Sequence, residues 1–332
     1  PAHDPIVCDR NLGQFVDTIK TNPKFVNSCQ QCHSPLSEQY ILKFEDGTYK
    51  KNPLYDRSLS HTGLNCAACH VRAHRRYSSP KKGREVSQPS FMPKKYHIHG
   101  GVIRKKWFKE SRFCARCHQF KEGQGAINGK LIENTYNEWK ASPWAEKGVN
   151  CQDCHMPKRR HLWRGIHDPD MVRSGVKLKV TVDSIDGNKV KASIQLINER
   201  VGHHFPTYVT PAVFIYAKLL DSKGNTISNT LQKDTIQRVL NNQLTEELSD
   251  TRIPSGKTHT FDYQQAYRGN AVTLEVRVEV HPDYFYLDLF KDRLRSNESS
   301  KAKKHYQKAK DRNQKSPYVL YKVKIPLAGD RG

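Results

Sequence analysis

Four copies of one arrangement of thiols and imidazoles run through the chain: Cys29-Gln30-Gln31-Cys32-His33, Cys66-Ala67-Ala68-Cys69-His70, Cys114-Ala115-Arg116-Cys117-His118 and Cys151-Gln152-Asp153-Cys154-His155. A lone C-x-x-C serves a redox disulfide or half of a zinc site. A histidine in the fifth place, four times over, is the attachment signature of c-type haem. The two thiols add across the porphyrin vinyl groups, and His33, His70, His118 and His155 each offer a proximal nitrogen to an iron. Four haem c groups are therefore expected. Eight of the nine cysteines belong to the motifs, which leaves Cys8. A disulfide-stapled chain would scatter its cysteines instead. Cys8 reads either as an incidental thiol or as one that pairs between molecules or lies near a haem edge.

The motifs form two related pairs. Cys29 and Cys66 are 37 residues apart, as are Cys114 and Cys151, and both members are displaced by 85. The flank Gly63-Leu64-Asn65-Cys66 recurs as Gly148-Val149-Asn150-Cys151. Equal spacing with a shared flank is the mark of duplication, and a duplicated two-haem unit implies a chain of haems. Who fills each iron's sixth position decides between an electron wire and an enzyme. There are 16 histidines and three methionines, Met92, Met156 and Met171, so histidine on both faces is favoured. His61 precedes the second motif and His74 follows it; His97 and His99 precede the third; His161 and His167 follow the fourth. All six are distal candidates. His3, His203 and His204 are weaker ones.

The Ser-x-His segment ending at His61, the Cys-His-x-x-x-His spacing from His70 to His74, and Cys154-His155-Met156-Pro157 followed by His161 carry a resemblance. Over roughly residues 1–170 the chain resembles the tetrahaem cytochromes that include the electron acceptor of nitrifier hydroxylamine oxidoreductase. It is also similar to the extracellular tetrahaem cytochromes that polymerise into conductive filaments. The resemblance implies His74 on haem 1, His61 on haem 3, and His97 or His99 on haem 4. It leaves haem 2 open, because that haem is five-coordinate in the nitrifier protein; here His161 or His167 is available to cap it.

Elements must position these ligands. Pro and Gly punctuate residues 1–170, so sheet should be scarce there. Helical turns are expected at Leu12–Lys20, Trp107–Phe120 and Thr135–Ala145 and at each motif, and a basic surface loop at 77–106. From about residue 172 the pattern changes. Val176–Val182 and Val190–Leu196 alternate around an Asp186-Gly187-Asn188 turn, Pro211–Leu220 reads as a buried strand, and Leu274–Val280 and Val319–Ile325 alternate again. This predicts an α+β chain of two domains: a sparsely helical tetrahaem domain over 1–170, then an antiparallel β-sandwich over 171–332. Its basic helical insertion at 283–313 is read as a solvated helix on the sandwich edge or, alternatively, a docking surface. The segment Gly202-His203-His204-Phe205-Pro206-Thr207 stands out. Its histidines either reach a haem or close a tight turn, with His203 bonded to backbone.

Hydrophobic residues make up 36 % of the chain, and Lys and Arg exceed Asp and Glu by 23; mean hydropathy is −0.80. The basic residues are spread along the length and no nucleic-acid module is present, so the charge reads as complementing haem propionates, acidic redox partners or an anionic cell surface. No run approaches 18 apolar residues, so no transmembrane segment is expected. Covalent haem attachment implies export, with a leader already removed, to the cell surface, the exterior or the periplasm. The function expected is electron transfer through four mostly bis-His haems, rather than catalysis, among redox partner proteins and with self-association into a filament. N-terminal His3 and Cys8 would lie on an arm able to reach a neighbour. The alternative is an oxidoreductase acting on a small nitrogen or sulfur compound at one open haem; no C-x-x-C-K motif is present.

Overall fold

A computed structural model describes residues 17–19, 21–60, 62–72, 75–79, 102–186, 189–241, 244–266 and 271–327. The chain divides into two compact units. Unit 1 comprises Pro1–His118, Asn150–Trp163 and Asp288–Arg312; unit 2 comprises Gln119–Val149, Arg164–Leu287 and Asn313–Gly332. Each unit thus draws on segments from both sides of residue 170.

Short helical turns dominate unit 1. Asn22 accepts a hydrogen bond from the Phe25 N–H and Pro23 opens the first turn, so a helix starts there and runs Pro23–His33. Further turns are Arg57–Ser60, Cys66–His70, Ala115–His118 and Cys151–His155. The expected Trp107–Phe120 helix is broken into 3₁₀ turns at Lys106–Lys109 and Ser111–Phe113 before Ala115–His118. Leu42–Glu45 and Thr48–Lys51 form a hairpin. Val71–Arg72 pairs antiparallel with Arg75–Ser78, which pairs in parallel with Ile103–Arg104. The stretch 77–106 therefore begins in strand and includes a second strand at Ile103–Arg104 rather than being loop throughout.

The helical insertion falls where its sequence placed it, as Tyr286–Arg295 and Ser300–Asn313. Its residues 288–312 group with unit 1, and its two ends, 286–287 and 313, with unit 2. The two helices share an apolar stripe. Phe290, Ala302, Tyr306 and Ala309 are buried, and the Phe290 and Tyr306 rings lie 6.5 Å apart. The Ser299 N–H donates to Asp17 at 2.9 Å just before the second helix begins.

Unit 2 is built from strands β1 (Val176–Asp186), β2 (Lys189–Asn198), β3 (Ala212–Leu220), β4 (Gln232–Ile236), β5 (Thr258–Ala266), β6 (Thr273–His281) and β7 (Tyr318–Pro326). They form a three-stranded sheet in the order β5-β2-β1 and a four-stranded sheet in the order β4-β3-β6-β7, antiparallel throughout. Period-two alternation sends one face of each strand inward. Val190, Ala192, Ile194 and Leu196 from one sheet join Val213, Ile215, Ala217, Leu219, Leu274, Val276, Val278 and Val280 from the other in a single core. The last strand departs from its expected pattern. A register shift opposite Val278 and Glu279 buries Leu320 and leaves Val319 exposed, because the extra residue of a bulge exchanges the two faces.

Buried charge helps tie segment 119–149 to the strands of unit 2. Arg238, nearly inaccessible, donates to Glu247 at 2.8 Å and to the Leu131 carbonyl at 2.7 Å. Arg252 bridges Glu138 at 3.0 Å and Asp250 at 2.8 Å. A buried guanidinium needs such partners, since an unpaired buried charge costs several kcal/mol. No helix among the described residues is long and apolar enough to cross a membrane.

Candidate functional site

One helical turn brings the second cysteine and the histidine of a C-x-x-C-H back over the first cysteine, since positions three and four apart share a face. The structure meets that requirement at all four motifs: within Pro23–His33, across Cys66–His70 and Cys151–His155, and from Cys114 into Ala115–His118. The shared flank of the second and fourth motifs has a mechanical meaning. Gly63 and Gly148 adopt left-handed φ of 57° and 71°, which glycine takes without steric cost. Each is followed two residues later by an asparagine cap. Asn65 accepts from the N–H groups of Ala67 and Ala68; Asn150 forms a capping box with Asp153. Asn150 Oδ1 also accepts from the Ser111 N–H and hydroxyl, both at 3.0 Å, which fixes the fourth motif beside the approach to the third.

The four motifs lie in one unit, and their thiols converge. Cys117 donates a hydrogen bond to Cys32, and Cys114 to Cys151. Hydrogen bonding from Cys117 lowers the Cys32 thiol to about 7, and hydrogen bonding from Cys114 does the same for Cys151. The donors Cys114 and Cys117 are pushed up, first by those same bonds and then by burial, with the charge of Cys69 adding to both. The thiols of the third motif are thus coupled electrostatically to thiols of the other three. Among the described residues, no group of three or more His, Cys, Asp or Glu is arranged to hold a bare metal ion.

The second motif shows how a proximal histidine is prepared. His70 Nδ1 lies 2.7 Å from the Tyr77 carbonyl oxygen. Donation of Nδ1–H to that acceptor fixes the tautomer and turns the Nε2 lone pair outward as a metal ligand. The ring stacks on Phe108 with centroids 5.1 Å apart and planes 5° from parallel, and Phe108 packs on Phe113 at 4.8 Å. The His161 ring stands 5.9 Å from the His70 ring. Two imidazoles on opposite faces of one ion, at metal–nitrogen bonds of about 2 Å, have ring centres roughly 6 Å apart. Burial, then the charges of His70 and Arg159, lower the His161 pKa, favouring the neutral imidazole that can coordinate. Tyr77 and Phe108 were not recognisable as site residues in the sequence; their contribution is a backbone carbonyl and a stacking surface.

The remaining candidates are placed differently. His3, Cys8, His61, His74, His97 and His99 lie outside the described residues. His167 belongs to unit 2 and pairs with Asp283 at 2.8 Å. His203 Nδ1 lies 2.8 Å from the His204 carbonyl oxygen, a local turn contact. His204 sits 3.5 Å from Glu138; burial lowers its pKa against the opposing pull of Glu138.

Thiol pairs on helical turns, an imidazole with its Nδ1 engaged and a second imidazole at the right remove are the donor set of a covalently attached haem. The residues present fit that group. In fold, the chain is similar to a solved multihaem cytochrome c. A penta-heme cytochrome c552 from Thermochromatium tepidum superimposes with a TM-score of 0.60 at 16 % identity, covering 90 % of this chain and 84 % of that one. A second solved structure, Northeast Structural Genomics Consortium target SoR45, aligns with a TM-score of 0.18 at 11 % identity, over 32 % of this chain and 72 % of that one. No protein-family model matches the chain, and no curated protein sequence does.

Proposed function

We propose that the chain is an exported tetrahaem c-type cytochrome that passes electrons through four covalently attached haems. The observation that carries this reading is the presence of all four motifs in one unit, each on a helical turn, with the approach to the third tied to the cap of the fourth by Ser111 and Asn150 at 3.0 Å. Bound haem supplies a one-electron iron couple, and a second imidazole in place of a vacant site makes it a carrier rather than a catalyst. His33, His70, His118 and His155 are the proximal ligands. His70 and His161 make the second haem bis-histidine, and His74, His61, and His97 or His99 supply the distal ligands of the other three. The excess of 23 positive charges offsets haem propionates and steers acidic redox partners to the protein.

The same reading extends to self-association, at the cell exterior or in the periplasm. Two duplicated haem pairs make an array with two ends, and a head-to-tail contact between copies that does not close yields a filament. Intact mass and ferric EPR of the purified protein test the core of the proposal. Four haem increments with low-spin signals are expected. Fewer increments overturn the tetrahaem reading, and a high-spin fraction that shifts with nitrite or cyanide replaces the carrier with an enzyme. A monodisperse monomer in size-exclusion chromatography and negative-stain images removes the filament alone.

A further inference from the structure

We propose that the outward face of the four-stranded sheet of unit 2 binds an acidic polysaccharide, a chain of carboxylate-bearing sugar rings. Unit 2 holds none of the C-x-x-C-H motifs, so this inference stands apart from the haem reading.

Alternation builds the face. Ile215 and Ala217 on β3 and Val276 and Val278 on β6 belong to the core, so Tyr216 and Arg277 between them point the other way. Strand pairing aligns Lys233 on β4 with Tyr216, Tyr216 with Arg277, and Arg277 with Lys322 on β7. This row crosses all four strands, and three strand spacings set its ends about 14 Å apart. The Arg277 and Lys322 side chains are 41 % and 54 % exposed. Lys218, Glu275 and Lys324 form the next row, and Glu279 lies on the other side of Arg277. Five cations against two carboxylates leave an excess of positive charge along the line an anionic chain would follow.

The cations are held in place. The Arg277 guanidinium lies 5.0 Å from the centre of the Tyr216 ring and 3.3 Å from Glu279. Lys233 Nζ stands 3.8 Å from the centre of the Phe214 ring. Side chains already ordered lose little freedom when a ligand arrives. Beside the row lies a cavity of about 210 Å³ with two kinds of wall. Tyr216 and the exposed Leu231 supply the apolar part; Lys218, Thr226, Glu275 and Arg277 supply the polar part. Glu275 is nearly buried and pairs with Lys218 at 3.4 Å and Lys322 at 3.5 Å. A uronate ring carries the complementary set on one rigid frame: an apolar C–H face, hydroxyls and a carboxylate. A bilayer surface is too flat to fill a cavity, and a duplex nucleic acid keeps its apolar surfaces stacked inside. An acidic peptide must freeze a flexible side chain for every carboxylate it presents. The acidic polysaccharide is the occupant these features favour.

The experiment measures binding of the purified full-length protein to polygalacturonate by titration calorimetry and affinity electrophoresis. Neutral dextran, polyglutamate, single-stranded DNA and anionic phospholipid vesicles are the comparison probes. Wild type is expected to bind polygalacturonate most tightly, more weakly as salt rises, and dextran not at all. Lys233→Gln, Arg277→Gln and Lys322→Gln combined remove the row and are expected to weaken binding at least roughly tenfold, as loss of charge-assisted contacts does. Lys179→Gln, Lys191→Gln and Lys257→Gln combined remove the same charge from exposed positions elsewhere in unit 2 and should bind as wild type. Leu231→Ala should weaken binding by a smaller factor. If the row variant does not fold, Lys322→Gln alone decides, by a smaller loss in the same direction. Failure of wild type to bind polygalacturonate, unchanged binding in the row variant, or equal weakening in both triple variants overturns the proposal. Tighter binding to polyglutamate, DNA or vesicles overturns it too, and gives the face to that partner.

Discussion

In unit 2, Ile194, Leu196, Ile215, Leu219, Leu274 and Val276 are wholly buried between two antiparallel sheets. In unit 1, the buried apolar side chains among the described residues are Val26, Ala68, Phe290, Ala302, Tyr306 and Ala309. One unit encloses a continuous hydrocarbon core. The other holds a helical pair on one side and, around the four motifs, thiols, imidazoles and aromatic faces. The average hydrophobic content of 36 % conceals this split. The difference teaches that the two units answer to different stabilisers: burial of aliphatic area in unit 2 and, under the proposal made above, porphyrin packing in unit 1. A ligand bound only by the native state stabilises the unit that binds it.

The comparison breaks most visibly at the cofactor. Replacing Cys151 and Cys154 together by alanine should remove one haem from the intact mass and markedly lower the melting temperature of unit 1. The strand signal of unit 2 in far-ultraviolet circular dichroism should melt where it did before. Coincident loss of both transitions would show that the units share one stabiliser. The reverse lesion is Ile215→Ala. It deletes a fully buried side chain between the sheets, and substitutions of that kind cost about 2–5 kcal/mol. Denaturant unfolding of the sheet signal should record that loss while haem content and the visible spectrum stay as in wild type.

Acid sharpens the contrast further. Burial alone would raise the Asp250 carboxyl, but the hydrogen bond and charge of Arg252, with Lys130 beyond, hold it at about 2 against an ordinary value of 3.8. A depressed carboxylate stabilises the fold fully above its unfolded value, and the contribution is lost as pH falls from about 4 towards 2. The loss is on the order of 1–2 kcal/mol after allowance for solvent screening. Thermal unfolding of unit 2 from pH 5 to pH 2 should show it, and Asp250→Asn should flatten the slope. An equal slope in the variant would remove Asp250 from the account. The smallest effect belongs to Asn150→Ala, which deletes the cap of the fourth motif and the acceptor for Ser111. Cap removal costs roughly 1 kcal/mol. It should lower the melting temperature of unit 1 by a few degrees with all four haems retained, and the equivalent Asn65→Ala should act alike if the duplicated flank serves one purpose.

Much of this was legible residue by residue. The C-x-x-C-H spacing is a local property of one helical turn, so the residues proposed to attach haem needed no tertiary information to be picked out. Alternation marked β1, β2, β3 and β6 because a strand buried on one face must repeat every two residues. The Gly-apolar-Asn flank announced a repeated device, and the structure shows it to be a left-handed glycine followed by a helix cap. Long-range partners were not legible. Arg238 and Arg252 look like surface charges in the sequence, yet they tie 119–149 to the strands through Leu131 and Glu138. Leu320 replaces Val319 in the core because of a bulge that depends on the pairing of two strands 40 residues apart.

Sequence by itself therefore determined the local chemistry of this protein: where sulfur and imidazole stand together, which stretches alternate, and where turns and caps begin. Tertiary structure alone decided that Ser111 beside the third motif binds the cap of the fourth, that the His161 ring stands 5.9 Å from the His70 ring, and that a basic helix 150 residues away groups with the unit holding the motifs. The physical reason is range. Spacing along a helix or strand is set by covalent geometry over a few residues. Contacts between distant segments depend on which buried charges and apolar stripes find partners once the whole chain is folded.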